Sequence, residues 1–407
     1  MQQNAPKKLA IAIYLLSLCL SANMVMAQER DNASSAGHVY LMSNRADGNT
    51  IILLERSADG TLTPKDEIST GGLGSGPGVL PSFLPPGAAP NPLQSQDSLI
   101  VTGDRRFLLA VNAGSNDISV IAVTSLGLKV TDKAASGGTF PAILAEHQGV
   151  VYVVNEGEQP NPNTEPNGIS TIKGFLLDHR GKLHAIPDSV RTIGVLGSDP
   201  ADVVFSPDGN LLIVTEKFTN IIDVFPVLSD GSIAGTMVLN ANDVTPFGIA
   251  FASHDILAIT YANSFLVDGR RNSVSGGSST AVYRITADMG LEPVGEPVPN
   301  HQTAACWLRF TPNGRFAYTA NKGSGSISRY NLSSRGKLTL TAGAAADTGG
   351  AFSGPIDMAV TPDGKFLYVI VSFIRKLLGY RIAADGSLTP VFTLEGLPLT
   401  AQGILAF

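Results

Sequence analysis

Glu216, His301 and Glu156 are the side chains of this sequence best suited to taking a proton from water. Arg271 and Lys322 are the cations that could steady the oxyanion formed next. A base and a cation of these kinds are what hydrolysis of an ester requires. Five asparagines, Asn44, Asn112, Asn155, Asn263 and Asn321, each close an apolar run. An amide there can contact a substrate, or it can satisfy free backbone groups at a strand end. Trp307, the one tryptophan, can stack on a ligand or pack inside the fold. No His/Cys spacing suits zinc, no loop has EF-hand spacing, and there is neither a G-x-S-x-G elbow nor a Ser-His-Asp grouping. The reading therefore requires no cofactor and assigns no metal ligand, while Asp, Glu and Asn oxygens leave room for a calcium or magnesium ion.

The elements that must position these groups are short strands in a repeating unit, plainest near the C-terminus. One copy runs over 306–340 and another over 356–394. Each has an apolar strand, a turn (Thr311-Pro312-Asn313-Gly314 or Thr361-Pro362-Asp363-Gly364), a second strand, a polar link, a third strand, a Gly turn and a fourth strand. Such a four-stranded unit at a period of about 50 residues is one blade of a β-propeller. Third-to-fourth-strand turns fall at Gly60, Gly127, Gly181, Gly231, Gly290, Gly336 and Gly386, which predicts seven blades. The first blade, with strands expected at 38–43, 49–55 and 62–68, lacks its innermost strand. The leftover apolar run 403–407 is predicted to supply it and close the ring, leaving no open sheet edge.

In such a meander the Pro-Asp-Gly-type turns and the Gly turns share one face. The second-to-third-strand links and the blade-to-blade links share the other, which also carries the long insertions 70–96, 155–167 and 261–279. Loops without a structural duty commonly carry function, so this is the working face. The Gly/Pro/Ala-rich stretch 70–96 reads as a long surface loop, because no strand and helix flank it as a phosphate-binding loop would need.

Residues 1–27 read as a secretory signal peptide: Lys7 and Lys8 precede an apolar run too short to span a bilayer, and Val25-Met26-Ala27 suits cleavage. Residues 28–37 read as a flexible leader and 38–407 as one propeller domain. The protein is thus expected to be exported, periplasmic or extracellular, with no membrane attachment after cleavage, and monomeric. Cleavage leaves Cys306 alone, so no intramolecular disulfide is possible. A formal net charge of −6 without a basic run excludes nucleic acid as a partner.

The turns Ser206-Pro207-Asp208-Gly209, 311–314 and 361–364, the strands 316–321 and 366–371, Ser326-Ile327-Ser328-Arg329-Tyr330 and the turns 59–62 and 385–388 together resemble the lactonase-type propellers. That family includes bacterial 6-phosphogluconolactonases and fungal carboxymuconate-lactonising enzymes, and the resemblance covers roughly 37–407. It implies an all-β seven-bladed propeller and a hydrolase or cyclase-type enzyme acting on a sugar or organic-acid lactone. Where members similar to the phosphogluconolactonase carry Gly-Pro-Arg-His, this sequence has Thr245-Pro246-Phe247-Gly248, and an Asn-Glu pair stands one strand set earlier, at Asn155-Glu156. The stretch 110–121 also resembles surface-layer propeller repeats. The alternative is therefore a non-catalytic propeller that binds an extracellular protein or glycan on the same face.

Overall fold

Short runs of Val, Ile, Leu and aromatic residues, cut by Gly and Asx turns, form strands and nothing else among the described residues of this computed structural model: 36–78, 93–158, 168–267 and 270–407. The expected signal peptide, most of the leader and the cores of the first two insertions lie outside them. The strands assemble into seven antiparallel blades. From inside to outside, the first blade is Ile404–Ala406, Gly37–Met42, Thr50–Arg56 and Leu62–Ser69. The last strand lies beside the first as expected, with Val39 opposite Ala406 and Leu41 opposite Ile404. The remaining innermost strands are Leu99–Val101, Pro141–His147, Pro200–Phe205, Pro246–Phe251, Ala305–Phe310 and Pro355–Val360.

Each second strand is covered on both sides by neighbouring blades, and Phe107–Asn112, Leu211–Glu216, Ile256–Tyr261, Phe316–Asn321 and Phe366–Val371 are buried along their whole length. Burial of that continuous apolar band is the main force holding blade to blade. Hydrogen bonds set the register. Tyr152 Oη donates to the Gly231 carbonyl, Tyr318 Oη to that of Gly386 and Tyr368 Oη to that of Gly60, at 2.7–2.8 Å. Each ties a second strand to the Gly turn of the next blade, and the third of them crosses the ring closure. A side chain at Gly60 would collide with the Phe366 ring, and its φ of +95° suits only glycine. In the fifth blade the left-handed turn position belongs to Met289 (φ +65°), one residue before the expected Gly290.

Five innermost strands share an irregularity at their working-face end: the register slips between residues 141 and 143, 200 and 202, 246 and 249, 305 and 308, and 355 and 358. Bulges re-aim side chains. Here they fall beside Asp202, Trp307 and Asp357, which take part in the contacts at the ring's centre.

Candidate functional site

The centre of the ring is filled from the working face by the end of the first insertion. Leu93, Ser95 and Gln96 are fully buried, which corrects the expectation that 70–96 is a surface loop throughout; residues 79–92 lie outside the described set. Gln96 Nε2 donates to Asp202 Oδ2 at 2.7 Å and to the Ile249 carbonyl at 2.9 Å, while its Oε1 accepts the Leu308 amide at 2.9 Å. Ser95 Oγ donates to the Ala142 carbonyl, and the Ser95 carbonyl accepts Trp307 Nε1 and Gln402 Nε2. One short segment is thereby bonded to the inner strands of the third, fourth, fifth and sixth blades and to the turn before the last strand.

Next to it, Arg309 on the sixth inner strand pairs with Asp97 and lies 3.4 Å from Asp357 Oδ1. Burial, reinforced by Asp97, pushes the Asp202 carboxyl well above the usual carboxylate range. Burial raises Asp357 to about 7, with Arg309 pulling the other way. Burial works against the Arg309 charge, but Asp97, Asp357 and Asp202 outweigh it and shift the guanidinium upward. Asp357 Oδ2 accepts no hydrogen bond.

Towards the fourth blade the segment caps a second charged group. The Lys217 side chain is 0% exposed, with Nζ 3.1 Å from Asp199 Oδ1, 3.7 Å from Glu156 Oε1 and 2.8 Å from the Gln94 carbonyl. The ammonium also faces the Phe247 ring at 5.6 Å, and Phe247 packs against Trp307 at 5.0 Å. Lys217, Phe218, Asn220, Thr245, Ser264 and Phe265 help line a cavity of about 250 Å³ that opens on the working face. A buried ammonium between two carboxylates, beside a cavity, places a cation and a potential base next to a space that can admit a small molecule.

The sequence-chosen residues scatter around this centre. Glu156 belongs to the Lys217 cluster. Glu216 is fully buried one residue away along the chain; it accepts a hydrogen bond from Thr219 and sits against Gly194, where a Cβ would meet its oxygens. It packs with Asp223, whose carboxyl is pushed up to about 8 by burial and then by its hydrogen bond and charge interaction with Glu216. Glu216 and Lys217, adjacent in the chain, are both buried and face different partners. His301 is exposed in the link to the sixth blade with φ +59°. No hydrogen bond or ion pair among the described residues joins it to Glu216, Glu156 or Lys217. Lys322 Nζ lies 5.6 Å from the Phe373 ring centroid. Arg271 stands on a small hairpin, Ser264–Val267 with Arg270–Ser273, opposite Leu266.

The asparagines serve the fold. Asn112 accepts from Asn49 and Thr70 and donates to Asp117 and Ser119. Asn321 accepts from Asn300 and donates to Ser326 and Ser328. Asn44 exchanges hydrogen bonds with Ser75, Asn155 donates to Ser136 and Thr171, and Asn263 donates to the Gly277 carbonyl. Trp307 is 1% exposed and anchors the central segment. Sequence reasoning missed Asp202, Asp357 and Arg309. A signal was present: an Asp two residues after Pro recurs in the apolar runs Pro200–Phe205 and Pro355–Val360.

This architecture has known counterparts. The family model for the seven-bladed β-propeller lactonases matches residues 278–396. The matched stretch is similar to the lactonase family, and the whole chain is a seven-bladed β-propeller. A candidate 6-phosphogluconolactonase from Bacteroides fragilis shares 16% identity with a TM-score of 0.66, over 91% of this chain and 98% of that one. The periplasmic gluconolactonase of Pseudomonas aeruginosa shares 22% identity with a TM-score of 0.55, over 71% of this chain and 82% of its own. A hypothetical selenium-binding protein from Sulfolobus tokodaii is also similar, at 13% identity and a TM-score of 0.61, over 91% and 93%. At these identities the solved structures report on fold alone, and fold does not fix chemistry. No curated protein matches the sequence.

Proposed function

We propose that this propeller is an exported lactonase-type hydrolase that opens an uncharged sugar or organic-acid lactone on its working face. The observation that carries the reading is the Lys217 ammonium held between Asp199 and Glu156 beside a cavity of about 250 Å³. Asp199, at 3.1 Å, is the closer counter-ion, which leaves Glu156, at 3.7 Å, as the looser carboxylate and the base for water. Lys217 supplies the positive charge that the oxyanion needs. A substrate entering from the cavity takes the position at Nζ that the Gln94 carbonyl holds. Two carboxylates against one ammonium repel a phosphate dianion, so the reading selects a neutral lactone over a phosphorylated one. Glu216 and His301 as bases, with Arg271 or Lys322 as cation, form the competing set of catalytic roles.

A second reading, a non-catalytic binding propeller, draws on the complete burial of Lys217 and the filled centre of the ring. The two are separated by assaying purified mature protein on a panel of lactones, with and without divalent metal. The enzyme reading expects hydrolysis above background that falls at least ~100-fold in Glu156→Gln, with the melting temperature followed in parallel. Equal loss in His301→Ala or Glu216→Gln but not in Glu156→Gln moves the chemistry to those residues. No hydrolysis of any lactone, together with saturable binding of a glycan or protein, replaces the enzyme by the binding module.

A further inference from the structure

Where the ring closes, the seventh and first blades leave a cavity of about 720 Å³ on the working face. That is within the ~300–1,000 Å³ range of small-molecule pockets. Its walls are apolar, with Ile52, Leu54, Pro64, Leu394, Leu397 and Leu399 among them. The charged groups at its rim are mostly spent on each other. Arg45 Nη2 bonds Glu67 at 3.0 Å, and Glu67 also accepts from Thr50; Lys376 pairs with Glu395 at 2.9 Å; the exposed Asp47 lies 3.9 Å from Arg45 Nε. Arg375 is the cation left over. Its Nε donates to the Leu397 carbonyl at 2.8 Å, which fixes the guanidinium, and no partner among the described residues takes its two terminal nitrogens.

The backbone at Arg375 gives a second, independent pointer. The residue just before the third strand is left-handed in four blades: Asn116 (φ +57°), Asn220 (φ +55°), Gly325 (φ +68°) and Arg375 (φ +57°). Asn and Gly are the residues that adopt this conformation readily. The seventh blade places an arginine there instead, and strain of this kind gathers where a side chain has a task.

We infer that this seam is a ligand site for an amphipathic carboxylate, its head group bidentate on the terminal nitrogens of Arg375 and its hydrocarbon body against Leu54, Leu397 and Leu399. A planar guanidinium matches a carboxylate through two parallel hydrogen bonds, and the apolar wall matches a chain rather than a sugar. The site is separate from the Lys217 cluster and does not depend on the activity proposed there.

Calorimetric titration of the mature protein with decanoate, below its micellar range, tests the assignment. Saturable one-to-one binding is expected, weakened at least tenfold in Arg375→Gly and at least tenfold for decanol on the unchanged protein. Glycine suits the backbone at this position, so the melting temperature of Arg375→Gly should hold or rise while binding is lost. The inference is overturned if the unchanged protein does not bind decanoate saturably, if decanol binds equally well, or if Arg375→Gly binds decanoate as before. A variant that melts lower yet binds undiminished would show that Arg375 serves only to brace Leu397.

Discussion

Asp223→Asn should flatten the dependence of stability on pH. Asp223 and Glu216 are diagonal neighbours on one face of the fourth blade, since Val214 lies opposite Asp223 and Glu216 opposite Ile221. Both are buried, and no cation is paired with either among the described residues. Burial and the neighbouring acid keep Asp223 protonated up to about pH 8, against an ordinary value of 3.8. The folded protein then holds a proton that the unfolded chain releases above about pH 4, so folding becomes less favourable as pH rises. The slope is about 1.4 kcal/mol per pH unit for one such group. Summed from pH 4 to 8 this reaches roughly 5 kcal/mol, and solvent screening reduces it to about 2–3 kcal/mol. Asn has the same shape and can donate to Glu216 as the protonated acid does, but it has nothing to titrate. Urea denaturation of both proteins at pH 5, 6, 7 and 8 isolates the effect, because contributions of distant groups cancel in the difference. Between pH 5 and pH 8 the stability of Asp223→Asn should gain about 2 kcal/mol relative to the parent. Parallel stability curves would show that Asp223 ionises normally and that the carboxyl pair is not the source.

Two further outcomes follow from the centre and the closure of the ring. Gln96→Ala removes three hydrogen bonds reaching three blades and leaves the buried Leu308 amide without its acceptor. It should cost about 2–4 kcal/mol and speed hydrogen exchange at Leu308 and Gln96, whereas an unchanged melting temperature would mean that the segment does not hold the blades together. Deleting 404–407 bares the edge of Gly37–Met42. The product should elute as aggregates or swapped dimers in size-exclusion chromatography, and a monomer of unchanged stability would contradict the closure described here.

Most of the architecture was written locally, in residues whose preferences act over a few positions. Thr311-Pro312-Asn313-Gly314 shows how: Thr311 Oγ1 bonds Asn313, the Asn313 carboxamide accepts the Arg315 amide, and Gly314 takes φ +67°. Such turns form from their own side chains, so their recurrence gave the blade count, and the unpaired run at the C-terminus gave the closure. The site was less legible because its parts are remote in sequence. Glu156 stood out as a possible base, but nothing along the chain joins it to Lys217 or Asp199, and Asn112 or Asn321 read as readily as a ligand contact as a strand cap. Which of these groups are buried, and against what, depends on how seven blades rotate around one axis and on a loop end whose composition suggested the surface. The sequence by itself determined the ring, because turn and strand preferences are local; only the tertiary structure decided that Gln96 fills its centre and that Lys217 lies beneath Gln94, because desolvation and charge pairing belong to a place in space.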